Sequence, residues 1–171
     1  GTGVTIIGER IFLNCESLTN IIVQKGNSVY HSDGNCLIET ASKTLIFGCL
    51  SSSIPSDGSV TSIGKYAFLG FDNLTSVSIP HAITIIGESA FHGCSNLNKV
   101  SIPNSVKNIS DQAFYNCKNL TSIIIPGKVT TIDSHAFQGC SGLSSIKVEA
   151  GNTVFDSRDN CNAIIRTSDN A

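Results

Sequence analysis

The sequence predicts an α/β solenoid. Short strands stack in a parallel ladder, and single helical turns connect them in coils of about 23 residues. One observation is a set of apolar columns held at a single period. Phe68, Phe91, Phe114 and Phe137 are each 23 residues apart, and Leu74, Leu97, Leu120 and Leu143 follow them six residues later. Val77, Val100, Ile123 and Ile146 form a third column, and Ile79, Ile102, Ile125 and Val148 a fourth. Ile63, Ile86, Ile109 and Ile132 precede each phenylalanine by five, and Pro80, Pro103 and Pro126 close three of the copies. An earlier copy carries Ile7, Phe12, Leu18, Ile21 and Val23. A fixed period of this length is the mark of a stacked-repeat architecture.

The second observation is the local pattern inside each copy. LTSVSIP (74–80) alternates apolar and polar residues, as a strand with one buried face does. GESAFHGC (87–94) does not alternate and holds good helix formers, so it predicts one helical turn or a tight bend. The isoleucine just before each such turn is placed in a second short strand. A lone coil buries too few large side chains to offset the entropy of ordering its backbone, so neighbouring coils must cover one another. Their strands then pair in parallel, about 4.8 Å apart.

Two segments interrupt the period. Residues 26–55 stand between the first and second phenylalanine-bearing copies, and residues 151–171 resemble their first half. GNSVYHSDGNC (26–36) matches GNTVFDSRDNC (151–161) at an offset of 125, and LIETAS (37–42) matches IIRTSD (164–169) after a two-residue shift. Each predicts a hairpin, with apolar strands around an Asp/Gly/Asn turn. The first continues through LIFGC (45–49) and rejoins the repeat at Ile54-Pro55. Residues 1–171 read as one domain, expected to be a fragment of a longer chain.

The motif in AFHGCSNLNKVSIPNSVKNI (90–109) and AFYNCKNLTSIIIPGKVTTI (113–132) resembles the BspA-type leucine-rich repeat. The GN(S/T)V(Y/F)…NC segments fit the same family, known from Bacteroides-like bacteria, and the likeness spans nearly the whole chain. It implies a right-handed leucine-rich-repeat solenoid in a cell-surface or secreted protein. It also implies adhesion to a host or bacterial macromolecule.

Composition narrows the partners. Charged residues make up 14% of the chain, well below the usual quarter, and the net charge of -2 leaves no basic footprint for nucleic acid. No apolar run is long enough to insert in a membrane. The seven cysteines are divided by their columns. Cys15, Cys94, Cys117 and Cys140 share the position that Phe71 holds in another copy, which marks a buried apolar slot for free thiols, with disulfides between adjacent coils as the alternative. Cys36 and Cys161 are equivalent in the two hairpins, and Cys49 has no evident partner. No close CxxC pair suggests zinc. His31, His81, His92 and His135 occupy different repeat positions and are expected in solvent. Asp33, Asp156 and Asp159 are explained by turn chemistry. Glu88 and Asp111 lie one coil apart but share a bend position with Lys65 and Ser134, which points to a solvated surface. No GxSxG elbow, phosphate loop or convergent catalytic set is present, so no enzyme, cofactor or metal is expected.

The candidate binding residues are the outward strand positions. They are Ser76 and Ser78, Lys99 and Ser101, Ser122 and Ile124, and Ser145 and Lys147, with Asn20 and Ile22 at the matching places of the first coil. They predict a weakly polar platform for an extracellular protein or glycan, presented by a monomer. Tyr30 and Phe155 are the aromatic content of the hairpins, which read equally as further contacts or as covers for the end of a coil stack. A passive spacer carrying another domain is the alternative reading.

Overall fold

The computed structural model describes residues 1–15, 17–157 and 163–168. Among them it forms thirteen strands and no helix. The alternating segments become β5 (Ser76–Ser78), β7 (Lys99–Ser101), β9 (Ser122–Ile125) and β11 (Ser145–Val148). β5 pairs in parallel with β7, and β9 with β11, each offset by 23 residues; β7 packs beside β9. The isoleucine column forms a second parallel ladder, as its spacing predicts. It comprises β4 (Ser62–Ile63), β6 (Ile85–Ile86), β8 (Asn108–Ile109) and β10 (Thr131–Ile132).

The predicted helical turns do not form, and the physical reason lies in the bends themselves. In residues 64–71 the N–H groups are used alternately. Ala67, Leu69 and Phe71 bond back to Gly64, Tyr66 and Phe68 within the coil. Tyr66, Phe68 and Gly70 bond forward to the carbonyls of Glu88, Ala90 and His92 in the next coil. An α-helix would turn the Phe68 and Gly70 donors back to carbonyls four residues earlier in the segment. Left-handed residues enforce the arrangement, because Tyr66 has φ 62° and Gly70 φ 74°. Ser89 (φ 52°) and Gly93 (φ 74°) repeat it one coil later, and Gln112 (φ 55°) and Asn116 (φ 57°) again after that. A right-handed helix cannot pass through such residues. The helix formers therefore build a third inter-coil hydrogen-bond ladder, and the solenoid is all-β.

The core lies between these ladders. Phe68, Phe91 and Phe114 are fully buried, and their rings stack at centroid separations of 5.1 and 5.2 Å. Phe137 continues the column at 5.5 Å, half-buried. Cys94, Cys117 and Cys140 are buried free thiols as their column predicts, whereas Cys15 in the first coil is exposed. Each buried Sγ donates to a phenylalanine carbonyl of the preceding coil: Phe68 at 3.1 Å, Phe91 at 3.2 Å and Phe114 at 3.0 Å.

The first irregular segment is the predicted hairpin. β1 (Tyr30–Asp33) pairs antiparallel with β2 (Cys36–Glu39) around Gly34 and Asn35. Both turn residues have positive φ, 54° and 58°, the pattern of a type I′ turn. β3 (Thr44–Phe47) then pairs antiparallel with β2 and parallel with β4, which joins the hairpin to the isoleucine ladder. The second hairpin joins β12 (Phe155–Asp156) to β13 (Ile165–Arg166). Asp159, Cys161 and Asp169 of this segment lie outside the described residues.

The two irregular segments are equivalent in their bonding as well as their sequence. Asn27 Oδ1 accepts from the N–H groups of Val29 and Tyr30, and its Nδ2 donates to the carbonyls of Gly1 and Val4. Asn152 does the same with Val154, Phe155, Pro126 and Val129, each partner displaced by 125. Val23 N–H donates to Ser32 Oγ, and Val148 N–H to Ser157 Oγ. Asn at this position pins the departing chain to the coil it has just completed.

Candidate functional site

The outward positions of β5, β7, β9 and β11 form one row of exposed side chains. Ser76 faces Lys99 and Ser78 faces Ser101; Ser122 faces Ser145 and Ile124 faces Lys147. All eight are exposed, while the alternate residues Val100, Ile123, Ile125 and Val148 point into the core. Ile124 is 52% exposed on this otherwise polar surface. Only the pleat is needed to produce the row, because side chains alternate between faces along each strand.

Asn20 and Ile22 do not join it. They are exposed, with Ile22 at 79%, but residues 20–23 form no strand and pair with none of the four. The Val23 N–H that a continuing ladder would use is bonded to Ser32 of the hairpin. The insertion of residues 26–55 separates the first coil from the row, so the platform has eight of the ten predicted residues. Tyr30 and Phe155 are likewise not surface aromatics. They are 7% and 5% exposed, and they seal the hairpins onto the core.

The bend side carries aromatic and charged residues that the strand-centred reading passed over. Arg10 Nη2 donates to the Tyr66 hydroxyl at 2.6 Å, and its guanidinium lies 4.2 Å from the ring centroid. Lys65 Nζ lies 4.8 Å from the same ring and 3.1 Å from Glu88 Oε1. His92 packs on Tyr115 at 4.7 Å. The 23-residue spacing that places His92 above Tyr115 was legible. The polar columns went unread because only apolar ones reveal the period.

The bend side also holds the nearest approach to a catalytic grouping. His135 Nδ1 lies 2.9 Å from Asp111 Oδ1 and 3.3 Å from Ser134 Oγ. Both contacts fall on the same ring nitrogen. A nucleophile–base–acid relay needs the two nitrogens in separate roles. Glu88 is paired with Lys65 and Asp111 with His135, so the two carboxylates do not face a common substrate position. Of the remaining histidines, His81 is exposed, and His31 is partly buried with its Nδ1 2.8 Å from Thr40 Oγ1.

Cys36 and Cys49, which the sequence did not associate, meet beside Ser52. The Cys49 N–H donates to Ser52 Oγ at 2.7 Å, and the Ser52 hydroxyl donates to the Asn35 carbonyl at 2.7 Å. Cys49 Sγ lies 3.6 Å from the same hydroxyl. Burial pushes the Cys36 thiol up to about 11. The antiparallel β2–β3 register, with Leu37 opposite Phe47, brings the two cysteines together. No helix among the described residues is long and apolar enough to cross a membrane.

The sequence matches the family described as BspA type leucine rich repeat region, in six copies over residues 1–58 and 39–164. No curated protein matches it. Among solved structures, the chain is similar to a leucine rich cell surface protein from Faecalibacterium prausnitzii. The two are 28% identical with a TM-score of 0.74, over 95% of this chain and 44% of the other. A leucine-rich repeat protein from Bacteroides capillosus is 25% identical with a TM-score of 0.62, over 72% of this chain and 100% of its own. The pneumococcal vaccine antigen PcpA shares the fold at 23% identity and a TM-score of 0.70, over 79% of this chain and 34% of its own. The chain thus spans less than half the length of two of these proteins.

Proposed function

We propose, from the premise that the chain belongs to the BspA-type leucine-rich repeat family, that it is a cell-surface interaction module. It binds an extracellular protein or glycan through the outward row of β5, β7, β9 and β11. The observation that carries this reading is the row itself: four strands present eight exposed side chains at regular intervals, with an exposed isoleucine beside a lysine. Small hydroxyls leave the surface free of bulk, so a partner can approach along its length. Lys99 and Lys147 supply charge, and Ile124 supplies apolar contact. Affinity then comes from the summed contacts of several coils. The description of the Faecalibacterium relative as a cell surface protein supports the placement.

The same reading makes the chain a binder and not a catalyst. Its support is the geometry of Ser134, His135 and Asp111, which converge on one nitrogen in an exposed bend. The test is a binding screen of the purified chain against immobilised matrix proteins, mucins and a glycan array. Saturable binding at micromolar concentration is the expected result. Failure across the panel, together with unchanged surface display after deletion of one 23-residue coil, would favour a spacer.

A further inference from the structure

The insertion of residues 26–55 breaks the hydrogen-bond ladder of the bends, and the break lies inside the solenoid, between residues 7 and 69. Residues 8–15 repeat the bend of residues 64–71. Arg10 (φ 57°) and Asn14 (φ 64°) take the left-handed places of Tyr66 and Gly70, and the N–H groups of Leu13 and Cys15 bond back to Arg10 and Phe12. The same conformation turns the N–H groups of Arg10, Phe12 and Asn14 toward the next coil. In the second coil the equivalent donors reach Glu88, Ala90 and His92, whereas among the described residues those of Arg10, Phe12 and Asn14 meet no acceptor. The level that a regular coil would occupy is only partly filled. β3 pairs with β4 there, and Phe47 lies between Phe12 and Phe71 at centroid separations of 4.6 and 5.8 Å. The Gly48 N–H takes the Ala67 carbonyl. A cleft of about 210 Å³ remains between the two bends, with Ile7, Ile11, Phe12, Phe47 and Leu69 in its lining. Ile11 stands where Ala67, Ala90, Ala113 and Ala136 are buried in the other coils, and its larger side chain is exposed.

We infer that this cleft binds a carboxylate borne by a compact apolar group, either a small organic acid or the last residue of a polypeptide. A row of N–H groups along one edge of a bend with left-handed residues is a concavity for an anion. The Arg10 guanidinium stands beside that row, held by the Tyr66 hydroxyl at 2.6 Å and engaged in no ion pair among the described residues. Of the charged residues lining the cleft, Arg10 and Lys65 are cationic and Glu9 alone is acidic; Lys65 also pairs with Glu88. An entering carboxylate therefore gains the backbone donors together with a guanidinium fork, which can grip it by two parallel bonds. Its apolar group displaces water from Ile7, Ile11 and Phe47. An enclosed apolar cavity of about 150 Å³ already holds benzene, so this cleft has room for one aromatic ring. The site lies on the bend side and does not depend on the strand row.

The test titrates the isotope-labelled chain with 3-phenylpropionate, followed by amide NMR. Saturable shifts concentrated at residues 7–14, 44–48 and 64–69 are expected, with a Kd on the order of millimolar for a ligand of this size. The uncharged 3-phenylpropanamide should bind roughly tenfold more weakly, because it gives up charge-assisted hydrogen bonds. Acetate should also bind at least about tenfold more weakly, for want of the apolar group. The amide comparison leaves the chain unaltered, so a loosened fold cannot produce the difference. An Arg10→Gln chain should lose about tenfold in affinity for the acid and nothing for the amide. With the acid bound, a Gly-Gly-Gly-Phe peptide that binds as well makes a chain terminus the source of the carboxylate, and one that fails makes it a small acid. Absence of saturable shifts at millimolar acid, equal binding of the amide, or indifference to Arg10→Gln would overturn the inference.

Discussion

Single residues decide how the irregular segments leave the coils. Asn152 makes four hydrogen bonds to backbone groups of two successive segments. No other side chain offers a donor pair and an acceptor pair in that geometry, except glutamine with a longer stem. Asn152→Ala should destabilise the chain by about 2–3 kcal/mol in urea unfolding, since several backbone groups lose their partners together. An unchanged midpoint would show that water replaces the amide. The GN string was visible as a repeated motif, but its role was not, because the two carbonyls its Nδ2 reaches, those of Pro126 and Val129, lie far back in the sequence. Thiols make a second point at this scale. Burial pushes Cys94 up to about 12 and Cys36 up to about 11, from an ordinary value of 9.0. Both are acids with raised folded values. Their contribution to stability is complete below pH 9 and declines from there until the folded thiols ionise at 11–12, because between those values only the unfolded thiols are ionised. The urea midpoint should therefore fall between pH 9 and 11, and less steeply in Cys36→Ala. The slot for Cys94, Cys117 and Cys140 was legible from Phe71 in the same column. The meeting of Cys36 with Cys49 depends on a β-bulge between Leu37 and Ile38 that no spacing reveals.

At the scale of elements, strands were legible and bends were not. The strand pattern has a period of two, so four residues suffice to show which face is buried. The bends hold Ala and Glu, which favour helix, and only the column of Gly70, Gly93, Asn116 and Gly139 signals left-handed backbone. The other left-handed column is occupied by Tyr66, Ser89 and Gln112, residues that announce nothing. Gln112 separates the two structures experimentally. In a helical turn, Gln112→Gly would cost about 1 kcal/mol. In the observed bend, with φ 55°, glycine should be neutral or stabilising. Gln112→Val should cost about 1–3 kcal/mol there, because a β-branched residue is strained in that region. The order of the two urea midpoints decides between these alternatives.

At the scale of the whole molecule, the period sets both the stacked core and the proposed binding surface. Each coil supplies one phenylalanine to a shared column, so interior and terminal coils should respond differently to its loss. Phe114→Ala, buried between two rings, should cost about 3–5 kcal/mol, whereas Phe137→Ala at the half-buried end should cost less. The same period that stacks the core repeats the outer strand positions, and so creates the proposed platform without any further signal in the sequence. Its limit was not legible. Asn20 and Ile22 fit the column, yet the hairpin takes their coil out of register with β5, because Val23 bonds to Ser32 in place of a ladder strand. The most direct test of the platform compares the chain with its Lys99→Ala/Ile124→Ser/Lys147→Ala variant. Surface plasmon resonance would be run against the macromolecule captured in the screen. All three positions are exposed, so the urea midpoint should be unchanged, and affinity should fall at least about tenfold, as for loss of a central contact cluster. Equal affinity of the two chains would contradict the account and remove the strand row as the binding surface.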